Sequence, residues 1–171
     1  VTSGQKNNES PYTKLNISVS RLQKLSQRFS LNASASAQAS NVNLDSSEKL
    51  YLGGATSVRA YPTGEAGGSM GHSLSVELRQ RFDSGFSWAV FYDHGRVQAH
   101  VDNNLSAPAS PAMWYLQGAG LSLAWQSKQG VDIKASVAQR MGDNPAPQSN
   151  GSDNDGTLRL NRAWLVASLA F

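Results

Sequence analysis

Apolar and polar residues alternate along most of this chain. From 28 to 41, Phe29, Leu31, Ala33, Ala35, Ala37 and Ala39 interleave with Ser30, Asn32, Ser34, Ser36, Gln38 and Ser40. A period of two means that the two faces of one strand meet different surroundings. The same period recurs at Leu15, Ile17 and Val19, at Leu74, Val76 and Leu78, and at Phe86, Trp88, Val90 and Tyr92. It continues at Leu121, Leu123 and Trp125, at Val131, Ile133, Ala135 and Val137, and at Leu165, Ala167, Leu169 and Phe171. These runs predict strands near 12–24, 28–41, 72–83, 86–98, 114–127, 131–142 and 157–171, and no helix.

The gaps between the strands alternate in length. Short turns near Ser26-Gln27, Ser84-Gly85 and Lys128-Gln129-Gly130 alternate with long polar loops at 42–71, 99–113 and 143–156. Short turns on one rim and long loops on the other are the pattern of an outer-membrane β-barrel. Strands of about 12 residues, rising roughly 3.3 Å each and tilted near 40–45°, match the ~25 Å apolar band of such barrels. Tyr12, Trp114, Tyr115, Trp125 and Phe171 lie near strand ends, where interfacial aromatic girdles sit. Bacterial barrels close with an even number of strands, and an open apolar sheet invites aggregation at its edges. Strands preceding this chain are therefore expected to complete the barrel.

Bulk composition adds little against this reading. An apolar fraction of 39% and a negative mean hydropathy resemble a soluble protein, but a transmembrane strand needs only about 9–11 residues and can be half polar. The formal charge of +3 is the balance of 15 basic against 12 acidic residues, and the basic ones are dispersed along the chain without an aromatic-interleaved cluster, which argues against nucleic acid as a partner. The absence of cysteine removes disulfides, thiolate zinc sites and cysteine nucleophiles. Val1-Thr2-Ser3-Gly4 opens the chain without an initiator Met or an apolar leader. The expectation is the C-terminal portion of a longer protein, ending at Phe171.

The chemistry concentrates between 52 and 97. Leu52-Gly53-Gly54 is followed by Val58-Arg59-Ala60-Tyr61-Pro62, by Gly64-Glu65-Ala66, and later by Phe91-Tyr92-Asp93-His94-Gly95-Arg96-Val97. Counting by twos with Trp88, Val90 and Tyr92 toward lipid turns Phe91, Asp93 and Gly95 toward the lumen. An Asp facing lipid is costly, so the lumenal position is the expected one. Arg59 can hold that carboxylate through two parallel hydrogen bonds, which Lys cannot copy, and Gly95 would leave room for an incoming loop.

With its final strand ending in Phe171, this set of motifs resembles the outer-membrane transporters of two-partner secretion, the haemolysin secretion and activation proteins (TpsB type). The resemblance runs from about residue 12 onward. It implies an all-β fold, an antiparallel transmembrane barrel of sixteen strands of which these are the last seven. It makes 42–71 a loop folded into the lumen, with Val58, Arg59, Ala60 and Tyr61 as its tip and Arg59 paired with Asp93 on the wall. Partners would be a secreted exoprotein such as a haemolysin or adhesin, outer-membrane lipid, and the barrel-assembly machinery, for which Leu165, Leu169 and Phe171 would be the terminal signal. No cofactor is implied. The commoner tip carries Gly where this chain has Ala60, which puts close backbone approach there in doubt.

Catalytic readings are weak. His72, His94 and His100 lack metal-site spacing, and adjacent His72 and Ser73 would point to opposite faces of a strand. Asp143, Asp153 and Asp155 lack the ordered spacing of a strong calcium loop and suit a solvated extracellular loop. The expected function is export of an exoprotein, with activation as a further role. A barrel-assembly factor of the same superfamily, a soluble β-sandwich binding module and a passive porin are the alternatives.

Overall fold

A computed structural model describes residues 12–101, 113–145 and 147–170. Seven long strands form one antiparallel sheet: β1 (Lys14–Lys24), β2 (Phe29–Ser40), β5 (Met70–Arg81), β6 (Phe86–Gln98), β7 (Met113–Gln126), β8 (Val131–Arg140) and β9 (Asn161–Leu169). They pair in chain order. The sheet is not closed: β1 and β9 each pair on one side among the described residues. The fold class is that of a partial antiparallel β-barrel. The alternation of the sequence explains the strands, and Gly85 and Gly130 adopt positive φ in the tight turns that join β6 to β5 and β8 to β7.

Each of the seven expected strands is present, with shifted ends. β5 begins two residues earlier than the alternation suggested, at Met70, and β9 begins only at Asn161. Residues 157–160 belong instead to the loop after β8. The long loop between β2 and β5 carries structure that the sequence reading missed: a short 3-10 turn (Ser46–Glu48) and a small hairpin of β3 (Leu50–Leu52) with β4 (Ala66–Gly68). The hairpin brings the ends of 53–65 together and presents them as a compact projection. Phe171, proposed as part of the terminal signal, lies outside the described residues, as does most of the expected loop 99–113.

The buried core lies between this loop and one face of the sheet. Leu52, Val58, Ala60, Tyr61 and Ala66 of the loop pack on Phe91, Val97, Leu116 and Ala138 of the strands, with Leu50 and Trp114 at the margin. Trp114 thus faces the loop, a correction to its expected place in an interfacial girdle, because it shares the inward parity of Leu116 on β7. The opposite face is mostly apolar and exposed: Leu15, Ile17, Val19, Leu74, Val90, Leu121, Leu123 and Leu165 all project there. An exposed apolar band of this extent requires lipid or another cover. No second sheet of comparable size packs on it among the described residues, which disfavours a β-sandwich.

Candidate functional site

The loop tip is a tight turn closed by hydrogen bonds from Gly54 N to the Tyr61 carbonyl at 3.0 Å and from Tyr61 N to the Val58 carbonyl at 3.2 Å. It carries Arg59 onto β6. Arg59 Nε and Nη2 donate to the two oxygens of Asp93, each at 2.8 Å, and the Arg59 backbone N–H adds a third bond to Oδ2 at 3.1 Å. The planar fork of the guanidinium matches the carboxylate, and charge on both partners strengthens each bond. Arg59 is only 5% exposed and Asp93 only 1%, so neither can turn to water without moving the loop.

Three further groups complete this contact. Ser75 Oγ donates to Asp93 Oδ1 at 2.7 Å. Glu77 on β5 accepts from Arg59 Nη1 at 3.1 Å and also meets Arg79 and Lys134. The Phe91 ring lies under the guanidinium, 3.2 Å from its carbon, an arrangement that attracts a cation electrostatically. From the far side, Trp164 Nε1 donates to the Arg59 carbonyl at 2.8 Å. The tip is therefore held by β5, β6 and β9 together.

The wall is cut to receive it. A β-carbon at Gly95 would stand 2.7 Å from Leu52 Cδ1 and 3.0 Å from Val58 Cγ2, and one at Gly118 would stand 2.3 Å from Ala60 Cβ. No non-glycine residue has positive φ among the described residues, so Ala60 sits in an ordinary backbone conformation. The close approach doubted at Ala60 is present. Gly118 supplies the missing volume from the opposite side of the contact.

A second contact holds the descending limb of the loop. Glu65 Oε1 accepts from Asn144 Nδ2, and Glu65 Oε2 accepts from the Asn154 backbone N–H at 2.9 Å. Asn144 also donates to Asp153 at 2.8 Å. Asp153 is gripped in turn by Arg140 of β8 and by Arg162 of β9, the latter at 2.8 Å. The Arg140 guanidinium lies 4.4 Å from the centre of the Tyr61 ring. Burial pushes the Asp153 carboxyl up, but hydrogen bonds from Arg140, Arg162 and Asn144 outweigh it and hold the group below the usual carboxylate range. The hydrogen bond from Arg162 holds Asp155 well below that range too.

The structure thus brings Val58, Arg59, Ala60 and Tyr61 together with Phe91, Asp93 and Gly95 in one buried contact. Leu165 and Leu169 lie apart from it, exposed on β9. Several members of the contact escaped the sequence reading. Glu77 was legible in principle, since the Leu74, Val76, Leu78 alternation turns it toward the loop. Gly118, Trp164 and the Glu65 contact carried no local signal, because each acts on a segment distant in sequence. Asp153 and Asp155 are not a freely solvated pair: Asp153 is 1% exposed, and its cations are guanidinium groups. No group of side chains suited to a metal occurs among the described residues.

Residues 2–125 match the family model described as haemolysin secretion/activation protein ShlB/FhaC/HecB. The chain is 28% identical over 141 residues to the heme/hemopexin transporter protein HuxB of Haemophilus influenzae strain 86-028NP, a match covering 80% of this chain and 25% of that protein. HuxB of Haemophilus influenzae strain ATCC 51907 is similar to the same extent. The chain spans about a quarter of the length of the curated relatives it matches. No solved structure matches it.

Proposed function

The chain belongs to the haemolysin secretion/activation family, outer-membrane transporters rather than enzymes, and from that premise we propose that the protein it helps to form exports a partner polypeptide. The seven long strands are the last seven of its barrel, 42–71 is its lumenal loop, and the Arg59 contact with Asp93 and Glu77 keeps that loop seated. The observation that carries this reading is the burial of a loop arginine against two wall carboxylates. Arginine at such a tip is expensive to desolvate, and its placement makes sense where a defined loop position matters. A passive porin has no comparable need for a buried, multiply bonded loop tip.

Leu165, Leu169 and Phe171 form the terminal signal for the barrel-assembly machinery in this reading. Haemolysins and adhesins are the cargo classes that the motifs suggest, and the name of the HuxB relative adds heme/hemopexin cargo to them. The test is secretion of the exoprotein encoded beside the full-length parent gene, in a host that has neither. Export that depends on the parent supports the reading. Retention of the exoprotein in the periplasm despite a folded, inserted parent overturns it in favour of an assembly factor. Arg59→Glu and Asp93→Arg should each abolish export, and their combination should restore part of it.

A further inference from the structure

The face of the sheet turned away from the loop is not uniformly apolar. On β6, Asp93, Gly95 and Val97 face the loop, so His94 and Arg96 face outward. Register places His72 of β5 opposite Arg96, and Tyr115 of β7 opposite Arg96 on the other side. The His72 and His94 rings lie 5.6 Å apart, and the Arg96 guanidinium stands 5.4 Å from the centre of the Tyr115 ring. These groups form one outward-facing polar patch across three neighbouring strands, with Arg96 as its cation.

Its height on the wall is defined by the strand ends. His72 is two residues from the start of β5 and Arg96 two residues from the end of β6, at the rim that bears the long loops. Leu74 of β5 is level with His94, and directly below lie the apolar side chains Val76 and Leu78 of β5, Val90 and Tyr92 of β6, and Leu121 and Leu123 of β7. That rim is the outer one in a bacterial barrel, and a patch just above the apolar band sits at the depth of lipid headgroups.

No carboxylate answers this charge from the wall. The only acidic residues of β5, β6 and β7 are Glu77 and Asp93, and both face the loop. Arg96 has no ion pair among the described residues, where it donates to Met113 Sδ at 2.7 Å, whereas Arg79, Arg140, Arg162 and Lys134 on the loop-bearing face are all paired. A guanidinium at the lipid boundary without a protein anion is satisfied when the lipid supplies one.

We propose that His72, His94 and Arg96 form a headgroup site for a phosphorylated glycolipid of the outer leaflet. The Arg96 fork takes two oxygens of one phosphate. The imidazoles donate to the same headgroup, and Tyr115 lies against its sugar. The proposal concerns the outer wall alone and does not depend on which polypeptide the barrel exports.

The test uses the full-length parent in detergent, with native mass spectrometry reading bound lipid. The probes are a diglucosamine lipid bearing two phosphates, the same lipid with its phosphates removed, and inorganic phosphate. The parent should bind the phosphorylated lipid about ten-fold more tightly than the His72→Gln, His94→Gln, Arg96→Gln triple variant. Arg96→Lys should lie between them. Arg21→Gln, an outward arginine toward the opposite rim of β1, should behave as the parent does. Heat-modifiable gel migration checks folding, and if the triple variant fails to fold, Arg96→Gln alone decides by losing part of the same affinity. Equal binding by parent and folded variant overturns the site, as does equal binding of the dephosphorylated lipid by the parent. Inorganic phosphate that displaces the lipid at equal concentration overturns the assignment to a lipid.

Discussion

The loop between β2 and β5 is held at two places that differ in every physical respect. At its tip the loop contributes the cation, Arg59, and rigid strands contribute the carboxylates, Asp93 and Glu77. Farther along, the loop contributes the carboxylate, Glu65, and the groups that meet it are amides of another loop, Asn144 and the Asn154 backbone. Among the described residues, the arginines of that second region, Arg140 and Arg162, reach this loop through Asp153 or through the Tyr61 ring. A direct ion pair on strands fixes position, because its partners are set by the ladder and cannot follow a moving loop. An amide-mediated contact between two loops can be exchanged with water in steps. The tip is the firm anchor, and the Glu65 region is the one expected to open first.

The largest expected effect comes from removing the wall carboxylate. Asp93→Asn leaves a buried guanidinium short of its main counter-charge, a change that costs about 3–5 kcal/mol in buried pairs. The loop should leave its seat before the barrel unfolds, since the β-ladder does not run through Arg59. Thiol labelling of Val58→Cys in the full-length parent reads this directly: the site is fully buried, and labelling should accelerate at least ten-fold in the Asp93→Asn background. Unchanged labelling would sink the idea that this contact seats the loop. Arg59→Lys should fall between parent and Asp93→Asn, since an ammonium cannot span both oxygens.

Next in size is a steric test of the same anchor. Gly118→Ala sets a methyl 2.3 Å from Ala60 Cβ, and overpacking of this kind costs roughly 1–3 kcal/mol. Ala60→Gly in the same chain should recover most of the lost seating. Labelling that Ala60→Gly does not restore would mean that Gly118 matters to the β7 ladder rather than to the loop.

The contrast between the anchors also explains what could be read from the chain alone. Seven strands were legible because alternation is a local signal, and Arg59 with Asp93 was legible because the motifs around them matched a known family. The hairpin of Leu50–Leu52 with Ala66–Gly68 was not, since three-residue strands with two glycines leave no periodicity. Ala60 looked like a flaw while the tip was considered by itself. Its fit depends on Gly118, nearly sixty positions away, and no local pattern links the two. The Glu65 region was hidden for the same reason: its partners lie in a polar loop whose composition alone suggests only solvation.

A smaller effect is expected at the second anchor. Asp153→Asn takes away the carboxylate shared by Arg140 and Arg162, a loss of about 1–3 kcal/mol, while Arg162 keeps its pair with Asp155. Because Arg59, Asp93 and Glu77 are untouched, labelling at Val58→Cys should stay near the parental rate while protease cleavage in 143–160 increases. Equal gains at both positions would show that the two anchors open as one unit and would erase the distinction between them.

The smallest expected effect is a dependence on acid that belongs to the second anchor. Asp153 and Asp155 are both held below their ordinary value of 3.8 by their hydrogen bonds to arginine. A carboxylate with a lowered folded-state value stabilises the native contact above the ordinary value, and that stabilisation is lost as pH falls toward the lowered one. Cleavage or labelling in 143–160 should therefore be flat from pH 7 to about 5 and rise as pH drops below about 4. The rise should be modest, since Asp155 is partly exposed to solvent and its pairing with Arg162 is screened there. Asp155→Asn and Asp153→Asn should each remove part of the rise. A rise of the same size in a chain lacking both carboxylates would place the acid response elsewhere and leave the second anchor held by its amides alone.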